Sequence, residues 1–467
     1  MFEFFMDHHI YNHIHFIGIG GISMSGLAEI LLMEGYNVSG TDSKESPILN
    51  RLKKLGAKIY IGHNKDNISG ADLIIYTDAI SNNNEELVAA VNSGAEVIDR
   101  ATFLGALMKN YKNSIAVSGT HGKTTTTSMI ATITNHVNLN PTILIGGELD
   151  DIGGNVKLGT NEYILTEACE YKANILKYFP TMAIILNIDE DHLDYFKNID
   201  HIVETFIGYA KNLQPSSYLV INVDDSNSHK IIENTVANII SFGINKDSDY
   251  KAENISYTDE GYPKYTLNIR NKEFHEIQLS VMGIHNIYNS LAAIAATHTY
   301  GIPIDIISEF ITFYKGVHRR LELIGSINDI KIIDDYAHHP TEIMASLKAL
   351  RKNATGKIYC IFQPHTFTRT KALLDNFGKA FKDADKIIIA DIYAARELDF
   401  GVIHSRDLAN RIKENGSDAI YLGSFDEIEE YLSHVVKSKD IILTMGAGNV
   451  YQIGKSILEH HKERAAV

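Results

Sequence analysis

The sequence predicts an α/β protein built in three units on largely parallel sheets. Three observations predict it. Short apolar runs alternate with helix-like stretches through most of the chain, the order expected when strands are joined by crossover helices. The 467 residues suffice for about three domains of ordinary size. Glycine-rich turns, Gly18-Ile19-Gly20-Gly21 and Gly119-Thr120-His121-Gly122, follow predicted strands and open predicted helices.

Residues 13–18 read as the first strand and 25–33 as the helix after it. Residues 37–40 form a second strand ending at Thr41 and Asp42, with further strands at 73–76 and 96–98 and a linker at 110–113. The second unit opens with a strand at 115–117 and a helix at 128–133, runs to about Tyr314, and has strands at 163–165, 181–187 and 218–222. From 249 to 280 the pattern alternates and is rich in turns, which predicts an antiparallel patch. A third unit starts near Gly316, with strands at 331–333, 358–362, 386–390 and 440–444 and helices such as 341–350 between them.

Composition narrows the function. The chain is 45% apolar and 22% charged, as globular proteins are, and its net charge of −15 offers no bulk attraction to nucleic acid or an anionic membrane. Two distant cysteines, Cys169 and Cys360, make no disulfide framework and fit a reducing compartment. No apolar run approaches membrane-spanning length, and residues 1–15 lack a signal-peptide core, so a cytoplasmic soluble protein is expected.

The most informative run is Gly119-Thr120-His121-Gly122-Lys123-Thr124-Thr125. A glycine-rich turn between strand and helix aims backbone N–H groups at one point, which suits a polyphosphate. Lys123 would reach the β/γ oxygens of ATP or GTP, and the Thr124 hydroxyl would sit on Mg²⁺. Val117 stands where the strict pattern has a glycine, so this loop is a shorter variant. Gly18, Gly20 and Gly21 begin a dinucleotide-type fingerprint whose third glycine is replaced by Ser23, with Asp42 ending the next strand. NAD, another phosphorylated ligand such as a nucleotide sugar, or a plain tight turn all fit it.

Glu167 and His192 follow predicted strands, where open α/β sheets place ligands; a carboxylate and an imidazole near a phosphate loop suit divalent cations. Asp189, Glu190 and Asp194 read equally as a solvated acidic helix cap. Asn286 and Asn289, after His285, share a helical face and would clamp an adenine edge or cap the helix. Arg319 and Arg320 suit a transferring phosphate, Asp334 and Asp335 a ribose or an amine. His338, His365, Arg369 and Arg396 follow further strands and read as one more binding edge.

In order along essentially the whole chain, the strings GIGGISMSGLAE, SGTDSKES, GTHGKTTTT, NIDEDHLDYF, GIHNIYNSLAA, GVHRRLE, DDYAHHPTEI, FQPHTFTRT, YAARE and TMGAG resemble the Mur ligases. The resemblance implies a Rossmann-like domain over 1–112 for UDP-N-acetylmuramate, a central P-loop ATPase domain with a mostly parallel sheet over 113–315, and a Rossmann-like amino-acid-binding domain over 316–467. It implies an ATP-dependent ligase acting through an acyl phosphate, with Mg²⁺ or Mn²⁺. The paired His338-His339 and FQPHTFTRT point to the branch that adds L-alanine, and a recycling ligase that adds a murein peptide to the same nucleotide sugar is the alternative. An oxidoreductase would leave the phosphate loop idle.

By the same resemblance Gly18, Gly20, Gly21 and Ser23, with Asp42, His63 and Thr77, belong to the nucleotide sugar. Lys123, Thr124 and the loop around them hold ATP and metal; Glu167 and His192 complete the metal site. His285, Asn286 and Asn289 match the adenine side, Arg319 or Arg320 the phosphates and Asp334 the ribose region. His338, His365, Arg369 and Arg396 line the alanine and muramoyl end, and His338 or His192 is the proton acceptor. Some branches carry a carbamoylated lysine on the helix after the metal histidine; residues 202–210 have none, so no such modification is expected. A monomer or weak homodimer is expected.

Overall fold

The computed structural model describes residues 2–395 and 397–465. They form two compact units, one of residues 2–188, 200–250 and 290–311 and one of residues 189–199, 251–289, 312–395 and 397–465.

The first unit begins with five strands: β1 (His13–Ile17), β2 (Asn37–Asp42), β3 (Lys58–Ile61), β4 (Leu73–Tyr76) and β5 (Glu96–Asp99). They make a sheet of order β3-β2-β1-β4-β5, parallel throughout. Ile17, Ile74 and Leu87 pack between one face and its helices. Seven more strands follow: β6 (Asn113–Ser118), β7 (Pro141–Leu149), β8 (Gly154–Lys157), β9 (Thr160–Glu167), β10 (Met182–Ile185), β11 (Tyr218–Asn222) and β12 (Asn238–Gly243). Their order is β12-β11-β10-β6-β9-β7-β8, and only the β7–β8 pair is antiparallel.

Two expectations change here. The helix expected at 128–133 starts at Lys123, because Gly122 at φ +86° turns the chain directly into it. The stretch expected as a linker is fastened: Asn110 donates to the Phe4 carbonyl at 2.8 Å and accepts from the Met6 N–H at 2.9 Å, and Asn113 already belongs to β6.

In the second unit β13 (Tyr250–Tyr257), whose first residue lies in the first unit, β14 (Pro263–Ile269) and β15 (Glu273–Gln278) fall where the antiparallel patch is predicted, and β14 and β15 pair antiparallel. The main sheet has β16 (Glu322–Ile327), β17 (Ile330–Asp335), β18 (Ile358–Phe362), β19 (Lys386–Ile389), β20 (Ala419–Tyr421) and β21 (Ile441–Met445), in the order β16-β17-β21-β18-β19-β20. All pairs but β16–β17 are parallel. Along these strands alternate residues feed two cores: Ile333, Cys360 and Ile387 face one layer, Ile332, Ile361 and Ile388 the other. A parallel sheet covered on both faces needs such near-continuous apolar runs, and β18 is buried end to end. The candidate site residues of this unit therefore lie at or just beyond the carboxyl ends of the strands, as Asp334 and Asp335 do at the end of β17.

Candidate active site

The glycine turn after β1 is held by the end of β2. Gly18 and Ile19 N–H both donate to the Thr41 carbonyl at 2.9 Å, and Gly20 N–H donates to Asp42 Oδ2 at 2.9 Å. Gly18 sits at φ +85°, and a Cβ there would meet Thr77 Cγ2 at 2.6 Å, so only glycine fits. Gly21 ends the turn as the residue before the helix Ile22–Met33. Ser23 Oγ, in the third-glycine position, accepts from Arg100 at 3.1 Å. His63 follows β3 at the same carboxyl edge. Its Nδ1 lies 2.7 Å from Glu86 Oε2, and Glu86 is fully buried. Burial pushes the Glu86 carboxyl up, but hydrogen bonds from His15, His63 and Thr41 outweigh it and hold it below the usual carboxylate range. Glu86 has no mark in the sequence; an acidic first turn after Asn84 reads as an ordinary exposed helix start.

The phosphate loop is clamped from β10's end. Thr120 N–H donates to the Asn187 carbonyl at 3.1 Å, His121 N–H to Asn187 Oδ1 at 2.8 Å, and Asn187 Nδ2 returns to the His121 carbonyl at 3.0 Å. Gly119 at φ +128° and Gly122 at +86° give the loop a path that other residues rarely adopt. Lys123 folds back over it, donating to the Gly119 carbonyl at 2.5 Å and the Thr120 carbonyl at 3.1 Å, and pairs with Glu170 at 3.2 Å. Burial pulls the Lys123 ammonium down, but Glu170, Cys169 and Glu167 outweigh it and keep it charged. Glu170 is buried and was not singled out in the sequence; nothing in its spacing distinguishes it from its neighbours. Thr124 is buried on the first turn of the helix, Thr125 is half-buried beside it, and Glu167 ends β9 with Oε1 accepting from Gly146 N–H at 2.6 Å.

In the second unit His192, His338, His365 and Arg369 come together, with Asp191 and Leu373, around a cavity of about 250 Å³. No helix starts at 189–194, so the acidic cap reading is wrong there. Asp191 is instead buried, its Oδ1 accepting from Arg369 Nε at 3.1 Å and Nη2 at 2.9 Å, while Asp189 accepts from the Thr341 hydroxyl at 2.7 Å. Burial raises the Asp191 carboxyl, and His192, Arg369, His338 and His339 together drive it far below the usual range. His338 Nδ1 lies 3.0 Å from the Tyr336 carbonyl and therefore donates to it, leaving Nε2 with a lone pair. Burial lowers His338 to about 4, with Arg369 lowering it and Glu342 and Asp191 opposing. Arg369 also lies 3.2 Å from His365 Nδ1. Arg396, expected here, lies outside the described residues.

Other expected residues are engaged within the second unit. Asp334 is buried, accepting from Arg319 Nε at 3.1 Å and from the Thr444 hydroxyl at 2.6 Å. Arg319 lies over the Tyr336 and Tyr451 rings, 4.9 and 4.6 Å from their centroids, and Arg320 lies over Tyr336 at 5.1 Å. Asn289 donates to Asn286 at 2.9 Å, and Asn286 to the Met282 carbonyl at 2.7 Å, just after His285 at the start of the helix Ile284–Thr299. The two amides thus brace the helix start.

A half-buried histidine held neutral has a stability signature. His338's folded value of about 4 is below its usual 6.5, so between those values the folded chain binds fewer protons than the unfolded one, and stability falls as pH falls through that window. Relative to a His338→Gln variant, the native chain should lose on the order of 3 kcal/mol from pH 6.5 to 4 in denaturant melts. Asp335, which burial pushes up to about 6, titrates in the same window with the opposite sign, and the comparison with the variant cancels it. A pH-independent difference would mean that His338 is not held neutral.

Three family models match in succession: the Mur ligase family catalytic domain over residues 13–112, the Mur ligase middle domain over 117–297 and the Mur ligase glutamate ligase domain over 319–448. The chain is 52% identical to a UDP-N-acetylmuramate–L-alanine ligase of Acetivibrio thermocellus over 99% of this chain and 98% of that one. It is 48% identical to the ligase of the same name from Alkaliphilus metalliredigens over 98% and 99%. Its structure is similar to that of the UDP-N-acetylmuramate–alanine ligase of Thermotoga maritima, with a TM-score of 0.82 and 29% identity over 97% of this chain and 99% of that one. A murein peptide ligase from Psychrobacter arcticus gives a TM-score of 0.74 at 26% identity over 96% and 98%. With three consecutive family domains and relatives of this identity over nearly its full length, the chain belongs to the Mur ligase family.

Proposed function

We propose that this chain joins L-alanine to the lactyl carboxylate of UDP-N-acetylmuramate, converting ATP to ADP and phosphate. The observation that carries this reading is the full-length similarity to alanine ligases, and the half-buried, charged Lys123 over a clamped phosphate loop supports it. The γ-phosphoryl group passes to the lactyl carboxylate oxygen, giving an acyl phosphate. The neutral amine of alanine attacks the acyl carbon, and collapse of the tetrahedral intermediate expels phosphate. Lys123, with Arg319 or Arg320, positions and neutralises the phosphates. The oxygen donors Thr124 and Glu167, with His192 by family resemblance, fit a divalent cation such as Mg²⁺ or Mn²⁺, which would neutralise phosphate charge when bound.

His338 takes the amine proton at Nε2: it is neutral, and its Nδ1–H is committed to the Tyr336 carbonyl. Gly18 to Ser23 with Asp42, His63 and Thr77 hold the nucleotide sugar, His285, Asn286, Asn289 and Asp334 the nucleoside of ATP, and His365, Arg369 and Arg396 the alanine end. The work divides among domains 1–112, 113–315 and 316–467. The protein acts in the cytoplasm as a monomer or weak homodimer, on small molecules only; no helix among the described residues is long and apolar enough to cross a membrane.

Phosphate release with ATP and Mg²⁺ tests this. Release should require both UDP-N-acetylmuramate and L-alanine. Release only when a murein tripeptide replaces alanine would assign the chain to recycling, and no stimulated release would overturn the ligase reading.

A further inference from the structure

The buried carboxylate behind the glycine turn belongs to a continuous chain of side chains. His13 Nε2 lies 2.7 Å from Ser39 Oγ, Ser39 Oγ 2.6 Å from His15 Nδ1, and His15 Nε2 3.0 Å from Glu86 Oε1. The other carboxylate oxygen takes the Thr41 hydroxyl and His63 Nδ1, both at 2.7 Å. An ionised carboxylate only accepts, so both histidines donate to it. His15 then carries its proton on Nε2, and its bare Nδ1 accepts from the Ser39 hydroxyl, whose oxygen accepts from His13. One set of neutral tautomers satisfies every contact. It converges on the Glu86 carboxylate from both sides, and on the outer side it ends at His63 with the proton on Nδ1 and the lone pair on Nε2.

His63 is where this chain reaches the surface. His15 and Glu86 have no exposed side-chain area, while the His63 side chain is 19% exposed. It stands at the carboxyl edge of β3, beside β2, whose Thr41 links the two features: its carbonyl holds Gly18 and Ile19, and its hydroxyl holds Glu86. Open parallel sheets bind nucleotides at that edge.

We propose that Glu86 is a positioning residue that fixes His63 as a hydrogen-bond acceptor for the nucleoside of the nucleotide sugar. This rests on the reading of the first sheet as the nucleotide-sugar site, and it sharpens it. A bare Nε2 accepts a ribose hydroxyl or a pyrimidine N–H; it has nothing to offer a diphosphate, whose oxygens only accept. The turn and His63 thus divide the ligand, the first turn of the helix Ile22–Met33, which the glycines lead into, facing phosphate and the imidazole taking nucleoside.

Glu86→Gln replaces one acceptor by a donor, so one of the two histidines must turn or change tautomer. The KM for UDP-N-acetylmuramate and the Kd for UDP should each rise about tenfold, the worth of one well-made hydrogen bond, while the KM for ATP moves less than about twofold. His63→Ala should give the same pattern, and the two changes combined little more than either alone. Long-range ¹H–¹⁵N spectra of ¹⁵N-histidine-labelled protein should show His63 protonated on Nδ1 alone, and mixed in Glu86→Gln. Should Glu86→Gln not fold, Thr41→Val removes one donor to the same oxygen and carries the test. A lowered Tm with unchanged nucleotide-sugar KM would reduce Glu86 to a packing residue, and a doubly protonated His63 in the UDP complex would overturn the acceptor assignment. Failure of the underlying reading looks different: phosphate release by the native protein would ignore the nucleotide sugar, while the spectra would still report the tautomer.

Discussion

Replacing Lys123 by alanine should lower kcat by about 10³-fold or more, the scale seen when a positioned cation is removed from a transferring phosphoryl group. Lys123 is already charged, half-buried and folded over the loop, held by two loop carbonyls and Glu170. On binding, phosphate would replace one of these three partners, so the charge stands in place before transfer begins. The substitution also strands Glu170, which is buried, and breaking a buried pair from one side costs about 3–5 kcal/mol. Far-UV circular dichroism should show a retained fold with a lowered Tm. Adding Glu170→Gln to Lys123→Ala should restore much of the Tm and none of the turnover, which separates the chemical role from the structural one. Near-native phosphate release in Lys123→Ala would remove Lys123 from the reaction.

What the sequence made legible follows from how it carries information. Strand–turn–helix units are local: apolar runs, glycines and caps lie within a few residues of one another, so the parallel sheets and the phosphate loop could be read directly. Lys123, Thr124 and Glu167 were marked by strand ends. Glu86, Asp191 and Glu170 were not, because their partners are far away in sequence. Glu86 meets residues 71 and 23 positions away, and Asp191 meets Arg369 178 positions away. An acidic residue is normally solvated, so composition argues against its burial until the partner is known. Asp191 is the clearest case: its run of acids looks like a helix cap, yet no helix is there. The engagement of Asp334 by Arg319 and Thr444 was illegible for the same reason.

The second large effect is expected at Arg369. Arg369→Ala should lower kcat/KM for L-alanine about 100-fold and destabilise the second unit by about 3 kcal/mol, since Asp191 is then left buried with its Arg369 hydrogen bonds gone. A purely structural pair would give only the second effect. The third readout is specific. Arg369 is one of the charges that hold His338 down to about 4, so its removal should raise the His338 value and shift the acid limb of kcat/KM toward higher pH. Arg369→Lys keeps the charge and loses the two-nitrogen grip on Asp191, so the limb should stay near its native position while kcat/KM still falls. Asp191→Asn in the Arg369→Ala background should recover stability by neutralising the stranded carboxylate. If the limb of Arg369→Ala stays where the native enzyme has it, His338 is not the group that accepts the amine proton, and His192, on the same cavity, becomes the residue to test.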